Sequence, residues 1–175
     1  MSQEHNHFTL FQLPQQFALD SAALEQAYRK VQSQVHPDRF ASAGDAEKRV
    51  AMQWATRANE AFQILKSPLK RAAYLCQLHG VDLAIESNTA MPPEFLMHQM
   101  EWREALHEAR AGGHGEPLAA LESELKAMQT DLQHTLERQI DQQGDYAAAA
   151  QSVRQWMFVD KFAAEIDAAY AAIEG

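Results

Sequence analysis

The chain has 175 residues, 46% of them apolar, and a formal net charge of −9. That length allows one domain or two small ones, with enough apolar side chains for a packed core. A single cysteine, Cys76, excludes an intrachain disulfide and any cysteine-rich zinc module.

The charge is unevenly spread. Residues 1–80 carry nine Lys/Arg against seven Asp/Glu, whereas residues 81–175 carry six against seventeen. A mildly basic first half and a strongly acidic second half suggest two surfaces for two different protein partners. Nucleic acid is not an expected ligand of the acidic half. Only 7 glycines and 6 prolines interrupt a chain rich in Ala, Gln, Glu and Leu. Almost no stretch alternates apolar and polar residues, so the fold class is all-α. The N-terminus MSQEHNHFTL lacks a basic region followed by an apolar run, and no run of 18 apolar residues occurs. The expectation is a cytoplasmic protein with no signal peptide, no transmembrane span and no membrane partner.

In chain order, a short apolar stretch (Phe8, Leu10, Phe11, Leu13) closes at Pro14, and His5 and His7 are expected in an unstructured tail. Asp20 or Ser21 caps a helix running to about Val35, with Leu24, Tyr28, Val31 and Val35 at helical spacing. Pro37 cannot continue that helix and pushes His36 out of helical geometry. A loop over 36–45 follows, then a long helix from about Ala46 to Lys66 with Trp54, Ala58, Phe62 and Leu65 on its apolar face. Ser67-Pro68 opens the next helix, which stops at His79-Gly80. Cys76 sits there among Tyr74, Leu75 and Leu78, as a buried structural thiol would.

Residues 81–93 are expected to be a linker, broken by Asn88-Thr89 and Met91-Pro92-Pro93. Three helices follow, over about Pro93–Ala111, Glu116–Gln143 and Asp145–Ile173. Leu118, Leu121, Leu125, Met128, Leu132, Leu136 and Ile140 make the middle one a continuous stripe, which with short connections implies an antiparallel three-helix bundle. On the first, a wheel at about 100° per residue groups Phe95, Gln99, Trp102, Leu106 and Ala109 on one face. Leu96, Met97 and Met100 point elsewhere, bordered by Glu101, Glu104 and Glu108. An apolar patch with an acidic flank results, suited to protein recognition. On the third helix, Val153, Trp156, Ala163 and Tyr170 read as the core side, and Phe158, nearly opposite Trp156, can join the patch. Trp54, Trp102 and Trp156 all read as core residues.

The tripeptide His36-Pro37-Asp38 places an imidazole and a carboxylate on an exposed loop between two amphipathic helices. This arrangement resembles the J domain, whose helical hairpin presents such a tripeptide to a DnaK-type chaperone and stimulates ATP hydrolysis. NEAFQILKSPLKRA (59–72) is similar to the end of that hairpin's second helix. HPDRF (36–40), RAAYLCQLHG (71–80) and FLMHQMEWREAL (95–106) narrow the resemblance to the HscB family, the J-type co-chaperones of iron–sulfur cluster assembly. It covers about Phe8 to Tyr170.

The resemblance implies a J domain over 1–80, a linker over 81–93 and a scaffold-binding three-helix domain over 94–175. It implies two partners, an HscA-type chaperone and an IscU-type scaffold. Asp38 would accept a charge-assisted bond from an arginine of the chaperone, on a loop stiffened by Pro37 and fixed by His36, with Arg29, Lys30 and Arg39 as a basic surface. Leu96, Met97, Met100, Glu101, Glu104, Glu108 and Phe158 match the family's scaffold-binding positions. No glycine/phenylalanine-rich or cysteine-rich region follows, which departs from general J proteins, and Arg39 stands where lysine is also common. A J protein serving a different client is the near alternative.

Other chemistry is poorly supported. The remaining histidines, His79, His98, His107, His114 and His134, are dispersed without ligand spacing, so no metal and no cofactor is expected. No GxxxxGK motif occurs, and His36 with Asp38 lacks a serine or cysteine nucleophile. The chain is expected to activate a partner's ATPase rather than to be an enzyme.

Overall fold

The computed structural model describes residues 5–84 and 90–175. Contacts divide the chain into two compact units, Met1–Leu75 and Cys76–Gly175. Among the described residues there is no strand. Of the expected linker, 85–89 lie outside the described residues, Asn88-Thr89 with them; 81–84 and 90–92 are non-helical.

The first unit contains α1 (His7–Leu10), α2 (Ser21–Val35), a 3-10 turn (Pro37–Phe40), α3 (Asp45–Lys66) and the start of α4 (Pro68–Leu78). α1 is a single turn where the sequence shows only an apolar stretch. Asn6 caps it, its side chain accepting from the Phe8 and Thr9 amides while the Thr9 hydroxyl accepts from the Asn6 amide. His7 is therefore not in an unstructured tail. Its amide donates to the Tyr74 hydroxyl at 3.0 Å and its ring stacks on Tyr74 at 4.4 Å. Burial of Phe8, Phe11 and Phe17 holds this segment down, and burial also lowers the His7 pKa from 6.5, against a smaller raising effect of Glu60.

α2 and α3 form the hairpin. Ala51, Ala58, Ala61 and Leu65 are the buried stripe of α3, and the small side chains let the two helices approach closely. Trp54 departs from the core expectation. It is 40% exposed, with the Arg57 guanidinium 5.7 Å from its ring. Arg71 is buried, donating to the Phe17 carbonyl at 2.7 Å and the Leu65 carbonyl at 2.6 Å while lying over the Phe17 ring. One guanidinium thus ties the chain before α2 to the end of α3.

The second unit is built on α5 (Pro93–Gly112), α6 (Glu116–Glu137) and α7 (Tyr146–Glu174), each touching the other two. Pro93 suits the first helical position, and α5 ends on Gly113 at φ +65, a left-handed conformation glycine adopts without a Cβ clash. α6 passes through a π-helical turn, Arg138–Gln142, before Gly144. The widened turn is secured by the Ser152 hydroxyl donating to the Gln139 side chain at 2.9 Å. Leu118, Leu121, Leu125, Leu132, Leu136 and Ile140 are buried as expected, each contributing about 1.5–3 kcal/mol if fully desolvated; Met128 is only half-buried.

α7 corrects the expected core side. Val153 and Trp156 are buried, but Ala163 and Tyr170 are only partly so. Val159, Phe162, Ile166 and Ala169 complete the stripe instead, because a straight helix at 3.6 residues per turn drifts away from a strict seven-residue count. Cys76 is fully buried, its thiol donating weakly to the Tyr146 carbonyl at 3.8 Å.

Candidate functional site

The first surface is built at the end of α2. Asp20 accepts from the Ala22 amide and starts the helix. Pro37 ends it, leaving His36 extended at φ −60, ψ 137. The chain then tightens at once. The Arg39 amide donates to the His36 carbonyl at 3.0 Å, and His36 Nδ1 accepts from the Asp38 amide at 3.2 Å. Accepting at Nδ1 leaves the proton of a neutral imidazole on Nε2, so the ring offers a donor outward. His36 Nδ1 also lies 3.6 Å from the Asp38 carboxylate.

The Asp38 side chain is 93% exposed and that of His36 is 59% exposed. A carboxylate that is fixed at its root and free at its tip is ready to accept from an incoming cation. Pro37 and Arg39 share the same short turn, both exposed. Arg29 and Lys30 lie six to seven residues upstream on α2, roughly 9–10 Å along its axis. Both are exposed, and Arg29 is turned to Glu25 at 3.1 Å. A solvated pair of that kind is weak and leaves the guanidinium available.

The second surface lies on α5. Phe95, Trp102, Leu106 and Ala109 are buried and fix the helix orientation, with Trp102 Nε1 donating to Glu124 of α6 at 2.9 Å. Leu96, Met97 and Met100 are consequently turned out, at 44%, 62% and 72% exposure. Glu101, Glu104 and Glu108 are exposed beside them. Phe158 reaches the edge of this surface from α7 but is half-buried. Its ring meets Phe95 edge-on at 5.8 Å and lies near-parallel to Phe162 at 6.3 Å.

Two neighbours escaped the sequence reading. The Arg103 guanidinium lies 5.8 Å from the Phe158 ring, placing a cation beside the acidic flank. His98 stacks on Trp102 at 5.7 Å with Nδ1 3.8 Å from Glu101. The spacing signal was present, since Arg103 follows Met100 by three residues and His98 precedes Glu101 by three.

Elsewhere, burial pushes the Cys76 thiol up to about 11, with Arg154 opposing weakly. That thiol is inert at neutral pH. Among the described residues no group of three or more His, Cys, Asp or Glu is placed to hold a metal ion, and no helix is long and apolar enough to cross a membrane.

Residues 91–167 match the family model of the HSCB C-terminal oligomerisation domain. The chain is 54% identical over 174 residues to the co-chaperone protein HscB homolog of Burkholderia multivorans, covering 99% of each chain. It is 56% identical over 164 residues to that of Bordetella pertussis, covering 94% of this chain and 95% of the relative. Among solved structures, chaperone HscB from Vibrio cholerae superposes with TM-score 0.80 at 36% identity, covering 97% of this chain and 99% of the other. The human co-chaperone protein HscB superposes with TM-score 0.85 at 27% identity, covering 95% and 83%. Those structures share the architecture of a J domain followed by a helical C-terminal bundle. The chain belongs to the HscB family of co-chaperones.

Proposed function

We propose that this protein stimulates the ATPase of an HscA-type chaperone of the DnaK class and delivers an IscU-type iron–sulfur scaffold to it. The observation that carries this reading is the Asp38 carboxylate, rooted in a capped 3-10 turn and 93% exposed at its tip. It accepts a bidentate bond from an arginine of the chaperone, while the His36 Nε2 proton faces the same partner. Arg29, Lys30 and Arg39 steer and orient an acidic docking surface. The chain supplies no phosphate-binding loop, so the chemistry belongs to the chaperone, whose hydrolysis-competent state is favoured by the bound turn.

The scaffold docks on Leu96, Met97, Met100 and the rim of Phe158, with Glu101, Glu104 and Glu108 meeting basic groups on it. Methionines suit a partner of irregular shape. In functional terms the division is a J domain over 1–80, a linker over 81–93 and a scaffold-binding domain over 94–175. The reading has the protein act in the cytoplasm, beside the ATP its partner consumes.

ATP turnover by an HscA-type chaperone, measured with and without this protein and the scaffold, tests it. Wild type should accelerate turnover, and the scaffold should increase that effect. His36→Gln should abolish stimulation with an unchanged circular-dichroism melt, since the ring is exposed and its loss removes one solvated hydrogen bond. Full stimulation by that variant would remove the basis of the reading.

A further inference from the structure

The apolar patch on α5 is charged along two edges of opposite sign. With Phe95 as zero on a wheel at about 100° per residue, Arg103 falls at about 80°, Leu96 at about 100° and Met100 at about 140°. Glu104, Glu108 and Glu101 follow at about 180° to 240°. Leu96 and Met100 therefore lie between a guanidinium on one side and the carboxylates on the other, all of them exposed.

The helix that carries Arg103 does not neutralise it. Its neighbours three and four residues away are Gln99, Met100, Leu106 and His107, none of them acidic. Among the described residues its guanidinium makes no hydrogen bond and no ion pair. It lies instead over the Phe158 ring, 5.8 Å from the centroid, and that ring is itself packed on Phe95 and Phe162. A ring offers no acceptor oxygen, so the N–H donors of the fork remain for a partner. Resting on a packed ring also orients the fork before the partner arrives.

We propose that Arg103 is a specificity-determining residue of this surface, taking a carboxylate of the bound scaffold in a two-pronged hydrogen bond. The inference rests on the scaffold-binding reading and adds to it the chemistry of the scaffold's own face. That face has an apolar centre, basic groups over Glu101, Glu104 and Glu108, and one acidic side chain over Arg103. A uniformly basic partner, which the glutamates alone would accept, sets a like charge against Arg103 and is rejected. The change of sign across the patch also fixes which way round the scaffold sits, because a reversed partner opposes like charges at both edges.

Isothermal titration calorimetry of the full chain against a purified IscU-type scaffold tests this. Arg103→Lys should weaken binding about threefold, since the charge stays and the planar fork is lost. Arg103→Ala should weaken it about tenfold and Arg103→Glu about a hundredfold, with the gap between the two narrowing at high salt. The side chain is exposed, and circular dichroism verifies that each variant is folded. Exposed acidic side chains of the scaffold are then reversed to lysine one at a time. One reversal should weaken binding to wild type and restore binding to the Arg103→Glu chain. A residue that merely held the Phe158 ring would give equal losses for the Ala and Glu variants and no rescuing reversal, and that result overturns the proposal. Wild-type binding with all three variants unaffected removes the proposal alone and leaves the proposed function standing. A wild type that does not bind the scaffold removes both.

Discussion

Replacing Leu96, Met97 and Met100 together by alanine separates binding from folding on the second unit. Full burial of such a side chain is worth about 1.5–3 kcal/mol. Only the part still exposed can be buried by a partner, and those fractions are 44%, 62% and 72%. Scaling gives about 0.7–1.3, 0.9–1.9 and 1.1–2.2 kcal/mol respectively. After allowing for the methyl groups alanine retains, the triple variant should lose about 2–4 kcal/mol of scaffold binding, roughly 30- to 1000-fold in Kd. Folding should lose less than about 0.5 kcal/mol per site, because these side chains are largely solvated already. Isothermal titration calorimetry against a purified IscU-type scaffold reads the first quantity, and a thermal melt reads the second. An unchanged Kd would refute the assignment of the patch, and a collapsed melt would refute the claim that it lies outside the core.

Phe158 is left out of that variant because its ring packs on Phe95 and Phe162. Phe158→Ala should cost about 2–3 kcal/mol of stability in urea unfolding, below the range for a fully buried phenylalanine, and should weaken scaffold binding as well. Arg71→Met removes the donors to the buried Phe17 and Leu65 carbonyls. At about 1–3 kcal/mol for each of the two acceptors that lose this donor, urea unfolding should register a loss of about 2–6 kcal/mol. Burial raises the Cys76 thiol from 9.0 to about 11, so the folded state holds this proton more tightly than the unfolded chain. That contribution is complete below pH 9 and is lost as pH rises towards 11. Wild type should therefore lose stability relative to Cys76→Ala across that window. The native thiol should also resist iodoacetamide at neutral pH and react once urea exposes it.

Helix limits were legible because their causes are local. Asp20, Pro37, Pro68 and Pro93 start or stop helices through their own backbone chemistry, and Gly80, Gly113 and Gly144 all adopt the left-handed conformation that ends them. The α5 patch was legible too. Once Phe95, Trp102, Leu106 and Ala109 take the core direction, a rigid helix must send Leu96, Met97 and Met100 outward. The turn at His36-Pro37-Asp38 could be located from its proline, but the choice of Nδ1 as the acceptor for the Asp38 amide could not, since it depends on the 3-10 geometry.

The failures share one physical cause. Trp54, Ala163 and Tyr170 occupy positions where the wheel allows a core role, yet each stays partly exposed, since burial is set by contacts beyond their own helix. His7 lies near the chain end but is held by Tyr74, 67 residues away. Arg71 reads as an ordinary cation until two backbone carbonyls, one of them 54 residues distant, converge on it. The amino-acid order alone determined the all-α class, the helix limits, the charge division and the turn that carries the J-domain resemblance, because each depends on neighbours within a turn or two. Tertiary structure decided how much of each side chain remains in water, and hence that Phe158 is half core and half surface. Exposure depends on which distant residue covers a side chain, and helical periodicity does not encode that.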